Sequence, residues 1–257
     1  MSATAMSASG NVVVVTGGGS GIGLALARQY LADGNQVIIV GRRAELLAQV
    51  AQAHPGLEWI RADIQTELGR TDLVAQVVAK YPKVNILVNN AGIQRQVDLQ
   101  ADRASWAEIE SEIQINLSAP IHLSMLFVQH FQKKKEVPAA IVNVTSGLAF
   151  FPLASVPVYS STKAALHSFT WSLRHQLLGT KIRVVEIAPP AVDTDLMAPG
   201  LHKFGMNVDE FADSVYGRVR KGEDEVGCSH AEDGLVAYRK QNRAAFDNVN
   251  KLHGLKS

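Results

Sequence analysis

Six short runs of this 257-residue chain are apolar on nearly every residue: Val12–Val15, Val37–Val40, Leu57–Ile60, Ile86–Val88, Ile141–Val144 and Val184–Ile187. A strand with one wet face alternates apolar and polar residues. A strand that is apolar throughout is covered on both sides, as in a parallel sheet between two layers of helices. Each run is bounded by Gly, Pro, Asn or Asp, and segments of helical period lie between the runs. Ile22, Leu26 and Tyr30 recur every four residues, and Leu166, Phe169, Leu173 and Leu177 form a second stripe that Gly179 stops. This alternation predicts right-handed βαβ units and a doubly wound α/β sheet with helices on both faces. No internal repeat or linker-like tract divides the chain. Residues 11–257 are therefore expected to form one domain, preceded by a flexible tail over residues 1–10.

Several function classes are disfavoured before any motif is considered. Lys plus Arg number 25 against 24 Asp plus Glu, and without a basic surplus no nucleic-acid partner is expected. Residues 1–10 carry neither a charged n-region nor an apolar h-region. No apolar stretch approaches the ~18 residues of a membrane span. The expected location is cytoplasmic, with no membrane partner. The single cysteine, Cys228, has no partner for a disulfide and reads as an incidental thiol. His122/His130 and His167/His175 are spaced too widely to share an ion, and no HExxH occurs, so no metal is expected. Lys133–Lys135 reads as a solvated helix C-terminus.

Thr16–Gly17–Gly18–Gly19–Ser20–Gly21–Ile22–Gly23 directly follows the first strand and opens a helix. Glycines there permit a tight turn and a close approach of backbone N–H groups to a pyrophosphate, so the context points to a dinucleotide. The second strand ends in Gly41–Arg42–Arg43, with no carboxylate at the turn to take a ribose 2′-hydroxyl. A guanidinium there suits a 2′-phosphate. NADP(H) is thus expected in preference to NAD(H), with Arg42 the first candidate and Arg43 the second.

Tyr159 and Lys163 are four residues apart and share a helix face. A free phenol titrates near 10, and a neighbouring ammonium favours the phenolate. A shift of roughly three units, about 4 kcal/mol, is within reach of a partly buried lysine and a cationic nicotinamide. Tyr159 then serves as general acid for carbonyl reduction or general base for alcohol oxidation. Ser146, at the carboxyl end of a strand, is placed to donate a hydrogen bond to a developing alkoxide.

These pieces resemble the short-chain dehydrogenase/reductase family. The glycine spacing Gly17, Gly21, Gly23, then Asn89–Asn90–Ala91–Gly92, Asn116, Ser146 and Tyr159–Ser160–Ser161–Thr162–Lys163 follow its order over about residues 11–196. The resemblance implies a Rossmann fold with strand order 3-2-1-4-5-6 and at most a short seventh strand near Glu223–Gly227. It implies Asn116, Ser146, Tyr159 and Lys163 as the catalytic set, with Tyr159 and Lys163 also contacting the cofactor, Lys163 at the nicotinamide ribose, and Asn116 anchoring a relay water. Gly17, Ser20, Gly21, Ile22 and Gly23 would take the cofactor's phosphates and Asp63 its adenine. Asn90 and Gly92 would line the adenosine side, while Asn89 is expected to be structural. Pro189, Val192 and Thr194 would edge the carboxamide. Trp171–Gln176 and Pro189–Leu196 resemble a branch often labelled as oxidoreductases of D-alanyl-lipoteichoic-acid biosynthesis, a label that does not define a substrate.

Two departures from the family stand out. Pro189–Pro190 replaces the usual Pro-Gly, and a polar helical tail, Ala231–Leu252, stands where many members build a tetramer contact. A homodimer through the helices containing Asn116 and Tyr159 is therefore expected. Residues around 190–210 read as a substrate loop, with Leu196, Met197, Phe204 and Met206 closing over an apolar substrate. Phe150, Phe151, Leu153, Val156 and Val158 are expected to wall the pocket. Asn207–Glu210 resembles a capping box that opens a helix with Phe211, Val215 and Val219 on one face. The expected activity is NADP(H)-dependent hydride transfer with a carbonyl or secondary alcohol of a small, largely hydrophobic substrate. The alternative, an NADP-sensing regulatory binding protein on the same fold, would be expected to lose Tyr159 or Lys163, and both are intact.

Overall fold

The computed structural model describes residues 7–101, 105–196 and 205–253. Its strands are β1 (Val12–Thr16), β2 (Gln36–Gly41), β3 (Leu57–Arg61), β4 (Ile86–Asn89), β5 (Ala139–Val144), β6 (Ile182–Ala188) and β7 (Glu225–Gly227). They form one parallel sheet in the order β3-β2-β1-β4-β5-β6-β7. Each of the six apolar runs is a strand, longer than its run by one or two residues at an end. The short seventh strand exists and pairs with β6.

The reason for continuous apolarity is visible in β1. Val13 and Val15 enter the core on one face of the sheet, Val12 and Val14 the core on the other, because successive side chains of a strand point to opposite faces. On the first face lie α1 (Gly21–Ala32), α2 (Ala44–Ala53) and α7 (Val208–Arg220). The opposite core is covered by α3 (Glu67–Lys80), α5 (Ala119–Gln132) and α6 (Pro157–Gln176). β1 and β4 lie side by side where the strand order reverses, and this is where a doubly wound sheet opens its crevice. Leading into α5 are α4 (Trp106–Ile113) and a π-helical turn, Gln114–Ser118. None of the helices among the described residues is long and apolar enough to cross a membrane.

Three local expectations are refined. Asn207 caps α7 by accepting the N–H groups of Asp209 and Glu210 at 2.9 and 3.2 Å, and Phe211, Val215 and Val219 are buried. Part of the stretch 1–10 is tied down rather than free: the carbonyls of Ser7 and Ala8 accept hydrogen bonds from Asn11 and Asn35. The expected polar tail is α8 (Ser229–Leu252), and one of its faces is packed. Its Tyr238 and Phe246 each meet Trp171 edge-on at 5.3 Å, and Ala231 and Leu235 are buried. The aromatic residues of α8, Tyr238 and Phe246, meet one cluster on α6, formed by His167, Trp171 and His175.

Candidate active site

A cleft of about 640 Å³ runs along the carboxyl edge of the sheet. Its walls come from the segments that leave the first six strands, together with Ile115, Tyr159 and Lys163, and His230 at the start of α8. This is where ligands bind in open α/β sheets.

One end is made of backbone. Gly17 has φ +67° and Gly21 φ +52°, a left-handed conformation that glycine adopts without strain. A Cβ at Gly23 would collide with Asn90 Nδ2 and the Gly17 carbonyl. Asn90 braces this turn by donating to the carbonyl of Thr16 at 3.0 Å. The Ser20 hydroxyl does not cap α1, and the first turn of the helix holds no acidic residue. Backbone N–H groups at such a terminus are a ready anion site. Arg42 and Arg43 are exposed on the rim, and neither enters an ion pair among the described residues. Asp63 lines the same end, with one carboxylate oxygen accepting the Gln65 N–H. The glycine turn and uncapped helix start thus lie in one cleft with two guanidiniums that have no ion-pair partner among the described residues.

The middle of the cleft holds the reacting side chains. Ser146 stands at the end of β5, where it accepts the Leu148 N–H at 3.1 Å, leaving its own hydrogen to donate. Tyr159 and Lys163 are both buried on α6, and the Lys163 Nζ lies 5.5 Å from the phenol ring centroid. One Lys163 N–H donates to the Val144 carbonyl at 2.9 Å, leaving two further N–H donors. Burial pushes the Tyr159 phenol up to about 12, with the Ser146 hydroxyl pulling down and the Glu112 charge pushing up. Burial also lowers Lys163, to about 8. The expectation that the lysine lowers the phenol is thus not met by the chain's own groups. Desolvation outweighs a cation that is itself desolvated and turned to a carbonyl.

Asn116 sits in the π-helical turn, fully buried, where π segments often mark functional sites. Its Oδ1 accepts the Ile93 N–H at 2.9 Å and its Nδ2 donates to the Ile93 carbonyl at 2.8 Å, so it clamps the segment after β4. A Cβ at Gly92 would lie 3.3 Å from Asn116 Oδ1 and 3.7 Å from Lys163 Nζ, which shows how closely these groups converge. Asn89 turns away from the cleft and donates to Asn143 and Ser124 at 2.9 and 3.1 Å. Its surroundings are structural.

The other end is built from side chains. Pro189, Val192 and Leu196 line the cleft after β6, and Thr194 reaches back to the glycine turn, where a Cβ at Gly21 would lie 3.2 Å from its Cγ2. The loop is closed at its base, where Val192 bridges to Met206 and Asp193 N–H donates to the Met206 carbonyl at 2.8 Å. Met197 and Phe204, expected to close over a substrate, lie outside the described residues. Of the five expected wall residues, only Leu153 and Val156 line the cleft. The 3₁₀ turn Gly147–Ala149 carries Phe150 away, into edge contact with His167 at 4.8 Å. Phe151 and Val158 are likewise absent from the walls. Sequence reasoning missed Gln94, Gln96, Ser155 and His230, which do line this end.

A buried polar network behind Ser146 was also missed. Glu186, fully buried in β6, accepts from Thr145 Oγ1 at 2.8 Å, and both its oxygens lie 2.9 Å from His167 Nδ1. His167 thus has a carboxylate partner. No group of three or more His, Cys, Asp or Glu among the described residues is placed to hold a metal.

Fold and site together define the class, a dinucleotide-dependent oxidoreductase on a doubly wound sheet. The family model for short chain dehydrogenases matches residues 11–203, and the chain belongs to that family. The uncharacterized oxidoreductase DltE of Bacillus subtilis (strain 168) is 41% identical over 250 residues, 95% of this chain and 98% of the relative. A short chain dehydrogenase from Burkholderia cenocepacia J2315, solved in complex with NADP, is 27% identical. It superimposes with a TM-score of 0.77 over 94% of this chain and 97% of its own. The 3-ketoacyl-(acyl-carrier-protein) reductase from Brucella melitensis, complexed with NADH, is 26% identical, with a TM-score of 0.78 over 88% of this chain and 100% of its own.

Proposed function

We propose that this protein is an NADP(H)-dependent reductase of small carbonyl compounds, or dehydrogenase of the matching secondary alcohols. The observation that carries this reading is the convergence of Ser146, Tyr159 and Lys163 in one cleft whose far rim bears two unpaired arginines. A bound nicotinamide supplies the hydride. Gly17, Ser20, Gly21, Ile22 and Gly23 hold the pyrophosphate on backbone N–H groups, and Arg42 with Arg43 takes the 2′-phosphate. Asp63, Asn90 and Gly92 flank the adenosine, and Pro189, Val192 and Thr194 the carboxamide. Lys163 holds the ribose and Asn116 keeps the segment after β4 in place.

Ser146 orients the substrate oxygen and Tyr159 gives or takes its proton. Burial pushes the phenol up to about 12, which keeps the proton that carbonyl reduction needs; for alcohol oxidation Lys163 is the chain's own cation favouring the phenolate, and an oxidised nicotinamide would add a second positive charge there. Ile115, Leu148, Leu153, Val156 and Leu196 offer an apolar wall, and Gln94, Gln96 and His230 offer polar contacts. The substrate is largely hydrophobic with one polar end. The homodimer is formed through the helices containing Asn116 and Tyr159, and exposed Trp106 and Met125, which flank Asn116 in sequence, support this reading.

The test is oxidation of NADPH and, separately, NADH against a panel of aldehydes and ketones. NADPH is expected to be preferred, and Arg42→Ala to raise the KM for NADPH by about tenfold or more while leaving that for NADH unchanged. Equal use of NADH by the parent protein contradicts the assignment of Arg42. Binding of NADPH with no turnover across a broad panel favours the regulatory alternative.

A further inference from the structure

Glu112, in the last turn of α4, precedes Asn116 by four residues. It is fully buried, with 0% exposure, and is not part of the cleft wall. A carboxyl so placed ordinarily has hydrogen-bond donors around it, because an isolated buried charge is costly. Here neither oxygen has a partner of good hydrogen-bond geometry among the described residues, and the Arg95 backbone N–H is the one donor near enough to pull on the carboxyl. Its ion pair, with the Arg95 guanidinium, is long at 3.9 Å. Arg95 comes from the segment after β4, is partly exposed, and donates to the Glu108 carbonyl at 3.1 Å.

α4 packs against α6, the helix that carries Tyr159. Arg95 from the loop and Tyr159 from α6 are the ionisable groups that act with Glu112. On its own helix, Glu108 takes part through its carbonyl, bound to Arg95. Burial raises the Glu112 carboxyl to about 7, with Arg95 pulling the other way. The group therefore changes charge near neutrality, four residues before Asn116 and on the helix that packs against the one carrying the phenol.

We propose that Glu112 is a positioning residue for proton transfer: as an anion behind the active site it holds the Tyr159 phenol in its protonated form, and as a neutral acid it releases that hold. The inference rests on the reading of Tyr159 as general acid and base. The sign follows from like charges. A carboxylate close to the phenol disfavours a second negative charge, so the phenolate forms at higher pH when Glu112 is ionised. As pH rises through the Glu112 transition, the carboxyl loses its proton and Tyr159 keeps its own longer. Carbonyl reduction, which needs the phenol, is thereby sustained at higher pH. Alcohol oxidation, which needs the phenolate, is held back.

The test titrates the phenolate absorbance of the protein saturated with NADP⁺, with the same titration of Tyr159→Phe subtracted. In Glu112→Gln the midpoint is expected to fall by about one unit. An unchanged midpoint overturns the proposal. This readout needs no turnover, so it is separable from the activity: a shifted midpoint in a protein that reduces no carbonyl sinks the reductase reading and leaves the coupling standing. Where carbonyls are reduced, the high-pH fall in kcat/KM should move down by the same unit in Glu112→Gln, with near-equal rates at low pH. A loss of equal size at every pH is what a purely structural carboxyl produces, and it contradicts the proposal. Arg95→Gln, a change at a partly exposed side chain, keeps the carboxyl and removes its cation. Its low-pH inflection should move upward, and a downward move counts against the arrangement.

Discussion

The two ends of the cleft are built from different materials. The end at β1 and β2 is built round backbone: Gly17, Gly21 and Gly23, the uncapped start of α1 and the bracing Asn90, with the side chains of Arg42, Arg43 and Asp63 at its margin. The end beyond β5 is an assembly of side chains from distant segments: Gln94 after β4, Leu153 before α6, Leu196 after β6 and His230 on α8. A site made of backbone needs particular glycines in a particular local order, so it leaves a motif in the sequence. A site made of side chains depends on which helix end arrives at which strand end. The first end can be shared across a family, while the second is free to vary with the substrate.

The largest break in this contrast should come from Gly23→Val. Its branched side chain has nowhere to go between Asn90 and the Gly17 carbonyl, and overpacking of this kind costs about 1–3 kcal/mol. Calorimetric titration should show NADPH affinity reduced by roughly tenfold to a hundredfold, the equivalent of that penalty. Binding of NADPH as tight as in the parent would mean that the turn is not the pyrophosphate cradle. His230→Ala should act at the opposite end and more gently. The KM for the carbonyl substrate is expected to change by about fivefold or less, the scale of one exposed polar contact. The KM for NADPH should stay put. If the cofactor's KM moves instead, the division of the cleft into two ends is wrong.

The sheet was legible because continuous apolarity has one physical cause, burial on both faces, and β1 shows it residue by residue. The ends of α6 and α7 were legible for similarly local reasons: Gly179 at φ +81° beyond one helix, and the Asn207 cap at the start of the other. Ser146, Tyr159 and Lys163 could be placed together because one strand end and one helical turn set their positions.

What escaped the sequence lies in long-range packing. Glu186 interrupts an apolar strand, and nothing nearby announces that His167 and Thr145 will meet it. The π-helical turn at Asn116 has no composition of its own. Phe150 resembles a pocket residue until α8 brings Tyr238 to within 6.0 Å of its ring. Nothing in the sequence marks Glu112 as buried, because the packing of α4 against α6 is a property of the fold. The unmet expectation for the Tyr159 phenol has the same origin. Spacing shows that Lys163 is near, but it cannot show that both groups are desolvated together.

The central claim is that Tyr159 carries the proton while the glycine turn independently carries the cofactor. Tyr159→Phe tests it directly, with turnover and NADPH affinity measured on the same preparation. The account predicts that kcat for carbonyl reduction falls by roughly 10²–10⁴-fold, the usual worth of a positioned general acid, while the affinity for NADPH stays within about twofold, since no phosphate contact is removed. Turnover retained in the phenylalanine variant would contradict the assignment of the proton to Tyr159.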